Sequence, residues 1–98
     1  MDGRLSMYQN RLTVVGRLRA FQNSDWLTML NGRHVEPLEF GRNRFTCQFE
    51  TTQNPLPALR RLSRLYPRLI FLLDYESDRI KGLAKAKAGR LISFRIRY

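Results

Sequence analysis

Three carboxylates stand at alternate positions: Asp74, Glu76 and Asp78. In an extended strand alternate side chains share a face, so this spacing would gather three acids able to bind a divalent cation or exchange protons. A plainer reading explains the same residues without chemistry, as the end of a strand whose acids face Arg79 and Lys81 across a tight turn. The chain has one histidine, His34, and one cysteine, Cys47. A single imidazole holds no metal alone, and Cys47 sits in an alternating strand pattern, as a small buried hydrophobe does. No glycine-rich phosphate loop is present. These residues make no catalytic constellation, so the expectation is a non-enzyme with no metal and no cofactor.

The basic residues are the stronger signal. Eighteen Lys and Arg oppose eight Asp and Glu, a formal net charge of +10 over 98 residues. Such a field attracts polyanions, whether nucleic acid, anionic lipid or an acidic protein. The cations fall into two sets. Arg60, Arg61 and Arg64, with Arg68 beyond, have helical spacing and few acids to pair with. Arg11, Arg44, Lys85, Lys87, Arg95 and Arg97 lie in segments that alternate with a strand's period.

The element that organises the chain lies between residues 49 and 76. Asn54 is a good N-cap, and Pro55 and Pro57 fall in the first helical turn, where a missing N–H costs nothing. Leu56, Leu59, Leu62 and Leu65 recur at helical spacing, opposite the arginines. Pro67 ends the helix, and residues 69–73 (LIFLL) read as a buried strand. Upstream, residues 10–15 form a short strand ending at Gly16. Residues 17–30 lean helical, with Asn23 or Ser24 able to interrupt them, and Asn31-Gly32 is a stop. Residues 34–40 read as an edge strand because of Pro37. After a turn at 41–43, residues 44–51 alternate Phe45, Cys47 and Phe49 against Thr46, Gln48 and Glu50. Downstream, residues 80–88 place Gly82, Ala84, Ala86 and Ala88 opposite Lys81, Leu83, Lys85 and Lys87. Residues 91–98 alternate Ile92, Phe94, Ile96 and Tyr98 against Ser93, Arg95 and Arg97.

This order spells an α+β, ferredoxin-like βαββαβ fold, an antiparallel sheet with two helices on one face, plus an added C-terminal β-hairpin. Residues 7–98 make up the domain, and residues 1–6 are expected to be a flexible arm ahead of the second methionine. With Phe45, Phe49, Ile92, Phe94 and Ile96 toward the helices, the open sheet face receives Arg44, Gln48, Lys85, Lys87, Arg95 and Arg97, joined by Arg11 and Thr13. The fourth strand is apolar on both sides, so either Phe71 and Tyr75 or Ile70 and Leu72 also surface there. A basic sheet with an exposed aromatic is how RRM-type domains stack single-stranded bases, and Tyr75 is the candidate ring. The RNP1 pattern itself is absent from SFRIRY. An apolar centre on this face would equally suit a homodimer.

Particular residues resemble a family. Asn10, Leu12, Val14 and Gly16, then Phe49, Thr51, Pro55 and Pro57, then Leu62-Ser63, Tyr66-Pro67, Leu72, Tyr75-Glu76 and Gly82 follow in the order of the ferredoxin-like domain of YubB-type plasmid and bacteriophage proteins. The likeness covers about half of the chain. Where that family has a tryptophan before the helix prolines, this chain has Thr52-Gln53, and Ser77-Asp78 replace a turn glycine. The resemblance implies the fold and a mobile-element origin, with no activity to transfer.

The resulting expectation is a small basic accessory protein that binds nucleic acid through a basic sheet face. The alternative is a protein-interaction module acting on an acidic host protein. No apolar run approaches the roughly 18 residues a membrane span needs, and no secretory leader is apparent, so a cytoplasmic location is expected.

Overall fold

The computed structural model describes residues 7–97. The arm expected at residues 1–6 and the terminal Tyr98 lie outside the described residues. The elements follow as β1 (Tyr8–Val15), α1 (Arg19–Gln22), α2 (Trp26–Leu30), β2 (Arg33–Phe40), β3 (Arg44–Thr51), α3 (Leu56–Leu65), β4 (Ile70–Glu76), β5 (Ile80–Lys87) and β6 (Arg90–Arg97). All six strands form one sheet in the order β2-β3-β1-β4-β5-β6, and every neighbouring pair is antiparallel.

The expected ferredoxin-like unit of two helices with an appended hairpin is corrected. Strand makes up 52% of the structure and helix 21%, in three small helices, so the fold is sheet-dominated. Two local causes account for this. The first helical segment is broken at Asn23-Ser24, where the Ser24 hydroxyl and amide both donate to the Phe21 carbonyl. The C-terminal hairpin is no appendage, because β5 pairs with β4 from Glu76↔Lys81 to Phe71↔Ala86 and continues the sheet.

Helix α3 begins as its sequence dictates. The Asn54 side-chain oxygen accepts the Leu56 amide at 2.9 Å, and proline occupies the first turn. Leu59 and Leu62 are fully buried between helix and sheet. Leu65, expected on the same stripe, is exposed. Successive steps of three residues each slip by about 60° around a helix of 3.6 residues per turn, which carries Leu65 off the buried side. At the other stop, Asn31 closes α2 in the left-handed conformation, φ 56°.

The helices cover one face only. Phe21 stacks on Trp26 at 5.2 Å and meets Phe71 and Tyr66 edge-on at 5.6 and 5.5 Å, while Trp26 meets Phe45 at 5.7 Å. These rings join Leu12, Val14, Cys47, Phe49, Leu73, Ala84 and Ala86 in one hydrophobic cluster. The small residues of β5 let α3 lie close to that strand. No helix among the described residues is long and apolar enough to cross a membrane.

Candidate functional site

The registers fix which side chains reach the uncovered face. Thr46, Thr13, Leu72, Lys85 and Ile92 form one cross-strand row, and Gln48, Arg11, Asp74, Leu83 and Phe94 the next. Beyond these lie Glu50, Gln9, Glu76, Lys81 and Ile96 on one side, and Arg44, Val15, Ile70, Lys87 and Arg90 on the other. Charge is therefore graded along the face. Glu50, Glu76 and Asp74 lie toward one end, while at the other Glu39 pairs with Arg44 and leaves Lys87 and Arg90 as the cations of that end.

Two adjoining hollows of about 600 and 450 Å³ run across this face and share Arg11, Asp74, Leu83 and Phe94. Their apolar wall is a strip on β5 and β6: Leu83, Ile92, Phe94 and Ile96, with Phe94 71% exposed. Polar contacts order the part of the face at the rim of the hollows and beyond. Gln9 donates to the Glu50 carboxylate at 3.0 Å, the hydroxyls of Thr13 and Thr46 are 3.2 Å apart, and Arg44 pairs with Glu39 at 3.3 Å.

This arrangement corrects several expectations. Ile92, Phe94 and Ile96 do not face the helices; they surface beside the lysines of β5, at 60%, 71% and 66% exposure. Arg95 and Arg97 therefore leave on the opposite side, across from Gly82 and Ile80. Tyr75 is buried on the covered face, where its ring lies over Gly82 and 6.3 Å from Tyr8, so it cannot stack a base. The phenol is pushed above its ordinary value by burial, which outweighs the opposing effect of Arg95. Of the fourth strand's two alternatives, Ile70 and Leu72 are the pair on the open face, Leu72 exposed and Ile70 half-buried. The open-face cations are thus Arg11, Arg44, Lys85 and Lys87, as expected, with Lys81 and Arg90 in addition.

The helix set is not remote from that face. Arg60 donates from Nε to the Gly89 carbonyl at 2.9 Å, and the Gly89 amide donates to the Ser63 hydroxyl at 2.9 Å. Gly89 lies in the β5–β6 turn between Lys87 and Arg90, so Arg60 and Arg64 border the basic end of the sheet. Arg61 and Arg68 are exposed.

The carboxylates are divided. Asp74 and Glu76 share the open face, whereas Asp78 sits in the β4–β5 turn, closed by the Ser77 amide on the Ile80 carbonyl at 2.8 Å. Among the described residues no group of three or more His, Cys, Asp and Glu could hold a metal ion. His34 is exposed, with Nε2 3.9 Å from Glu50, while Cys47 is buried beneath the helices and its thiol is pushed up to about 12 by desolvation. The two residues thus belong to different faces and form no nucleophile–base pair.

No family model matches the chain, and no curated protein or solved structure does either.

Proposed function

We propose that the chain binds single-stranded nucleic acid along the open face of the sheet. The observation that carries this reading is Phe94, a mostly exposed ring at the wall shared by both hollows, which Arg11 lines from the far side and Lys85 lines in the smaller one. A ring in that place offers a stacking platform to any base, and the cations around it offer partners to the phosphates. The net charge of +10 supplies long-range attraction. Lys87 and Arg90 offer the backbone an exit at the end of the face away from Glu50 and Glu76. The mobile-element setting of this reading rests on the resemblance in strands and helix caps.

Fluorescence anisotropy with a random-sequence oligonucleotide over a salt series tests it. Phe94→Ala is expected to weaken binding about 5- to 150-fold, the loss of one stacked base. Lys85→Glu with Lys87→Glu should also flatten the salt dependence, by about 0.7 in log–log slope per lost phosphate contact. Arg61→Glu, on the exposed side of α3, should act only through the general field. No binding by the wild type at moderate salt, or equal effects of all three changes, overturns the reading.

The alternative, a module that docks an acidic protein, draws on the same strip, since Leu72, Leu83, Ile92 and Ile96 are aliphatic and stack no base. Under that reading the apolar substitutions weaken capture of an acidic protein while oligonucleotide binding is absent.

A further inference from the structure

The two edges of the sheet are built differently. At one edge, β2 carries Pro37, the acids Glu36 and Glu39, and register shifts between Arg33 and Glu36 and between Pro37 and Glu39. Proline, charge and bulges are the features that keep an edge from pairing with another strand. At the other edge, β6 pairs with β5 at every position from Lys87↔Arg90 to Ile80↔Arg97 without a shift, and it contains no proline, glycine or acid. It is long, regular and apolar on the open face.

The turn before β6 shows which of its backbone groups are free. Ala88 and Gly89 have φ of 51° and 82°, as a two-residue type I′ turn requires, so the closing pair Lys87↔Arg90 is hydrogen-bonded. In an antiparallel ladder such pairs alternate, so Arg90, Ile92, Phe94 and Ile96 direct their N–H and C=O groups to β5. Leu91, Ser93, Arg95 and Arg97 therefore present theirs to the free edge.

We infer that β6 is a homodimerisation edge, pairing antiparallel with β6 of a second copy about a two-fold axis at Phe94. Only like-parity residues can face one another if the open faces of the two copies are to coincide. The register centred on Phe94 places Ser93 against the partner's Arg95 and Leu91 against the partner's Arg97, so all four outward residues of each copy find a partner. A register centred on Ser93 or Arg95 leaves outward groups unpaired, and the latter sets two Arg95 side chains face to face. The chosen register also keeps like charges apart: no cation in the paired span lies directly across from another, and each Arg95 faces a serine. On the open face Phe94 meets its own copy as a non-hydrogen-bonded pair, the closer kind, with Ile92 and Ile96 packed crosswise on either side. The second copy thus packs against the outer flank of the strip, leaves its open face accessible, and adds its own Phe94 beside the hollows. This inference does not rest on nucleic-acid binding, and its test contains no nucleic acid.

Light scattering across a concentration series is expected to give twice the monomer mass at high concentration. Ser93→Pro removes an outward N–H while leaving the ladder to β5 intact, so it should remain monomeric with a cooperative melt. Crosslinking in a Cys47→Ala background reads the register and stands if Ser93→Pro fails to fold. With a mild oxidant, Phe94→Cys should form a covalent dimer, because its two β-carbons adjoin on the axis within disulfide reach. Ser93→Cys should not, because it faces the partner's Arg95. A wild type that is monomeric throughout overturns the inference. So does a dimer that persists in folded Ser93→Pro, or equal crosslinking at both positions.

Discussion

The Ser63 hydroxyl of α3 and the Gly89 amide of the β5–β6 turn are joined by a buried hydrogen bond of 2.9 Å. With Arg60 on the Gly89 carbonyl, this contact pins the far hairpin to the helix and fixes the height at which β6 leaves the sheet. Ser63→Ala strands a buried N–H, so it should cost about 1–3 kcal/mol in urea denaturation. Gly89→Ala should cost a similar amount, since φ 82° disfavours any β-carbon by about 1–2 kcal/mol and the new methyl would lie 2.7 Å from Arg64 Cγ. Were either variant as stable as wild type, the hairpin would not depend on this clamp.

Leu62 and Leu65 separate burial from pattern. Leu62→Ala should cost about 2–5 kcal/mol, a large share of the roughly 5–15 kcal/mol holding such a fold together. Leu65→Ala, at an exposed site, should stay within about 0.5 kcal/mol. Equal shifts in the urea midpoint would show that the two leucines share a buried face.

The different outcomes for neighbouring elements explain what could be read from the residues alone. Asn54, Pro55 and the alternation around Cys47 announce α3 and β3 because each is a local signal with one interpretation. The face of β6 is not local. Ile92, Phe94 and Ile96 alternate as a core strand would, and hydrophobicity alone sends them inward. A two-residue turn, however, pairs each odd position of β5 with an even position of β6. If Ala84 and Ala86 face the helix, then Ser93 and Arg95 share that face and Phe94 must lie beside Leu83 and Lys85. Turn parity was the available signal, and it outranks hydrophobicity at an edge that no helix covers. The same parity puts Arg95 and Arg97 across from Gly82 and Ile80, away from the open face. The side taken by Tyr75 is equally illegible from its own strand, since β4 is apolar on both sides and its alternation carries no preference.

Tyr75 and Gly82 form an interlocked pair on the covered face. The phenol oxygen has no hydrogen-bond partner among the described residues, and a β-carbon at Gly82 would collide with the ring. Tyr75→Phe removes the buried hydroxyl and should leave stability unchanged or raised. Gly82→Ala should destabilise by about 1–3 kcal/mol, as overpacking does. Thermal melts of the two variants should therefore shift apart, and a large loss in Tyr75→Phe would reveal a partner for the hydroxyl.

Alkaline pH should unfold the protein through Cys47. Burial raises its thiol from the ordinary 9.0 to about 12, so between those values the unfolded chain loses the proton and the folded chain keeps it. The folded state then binds more protons, and stability falls as pH rises through this window. Below about pH 9 this contribution is complete, and above it the loss is on the order of 1 kcal/mol per pH unit. Tyr75, also raised by burial, adds a second decline that starts near its ordinary value of 10.0. Urea midpoints measured under reducing conditions between about pH 8 and about pH 11 resolve the two. Cys47→Ala should be less stable at neutral pH, because it leaves a cavity, yet its midpoint should stay level for about one further pH unit before Tyr75 takes effect. If the variant and wild type decline in parallel from about pH 9, the thiol is not the group that titrates.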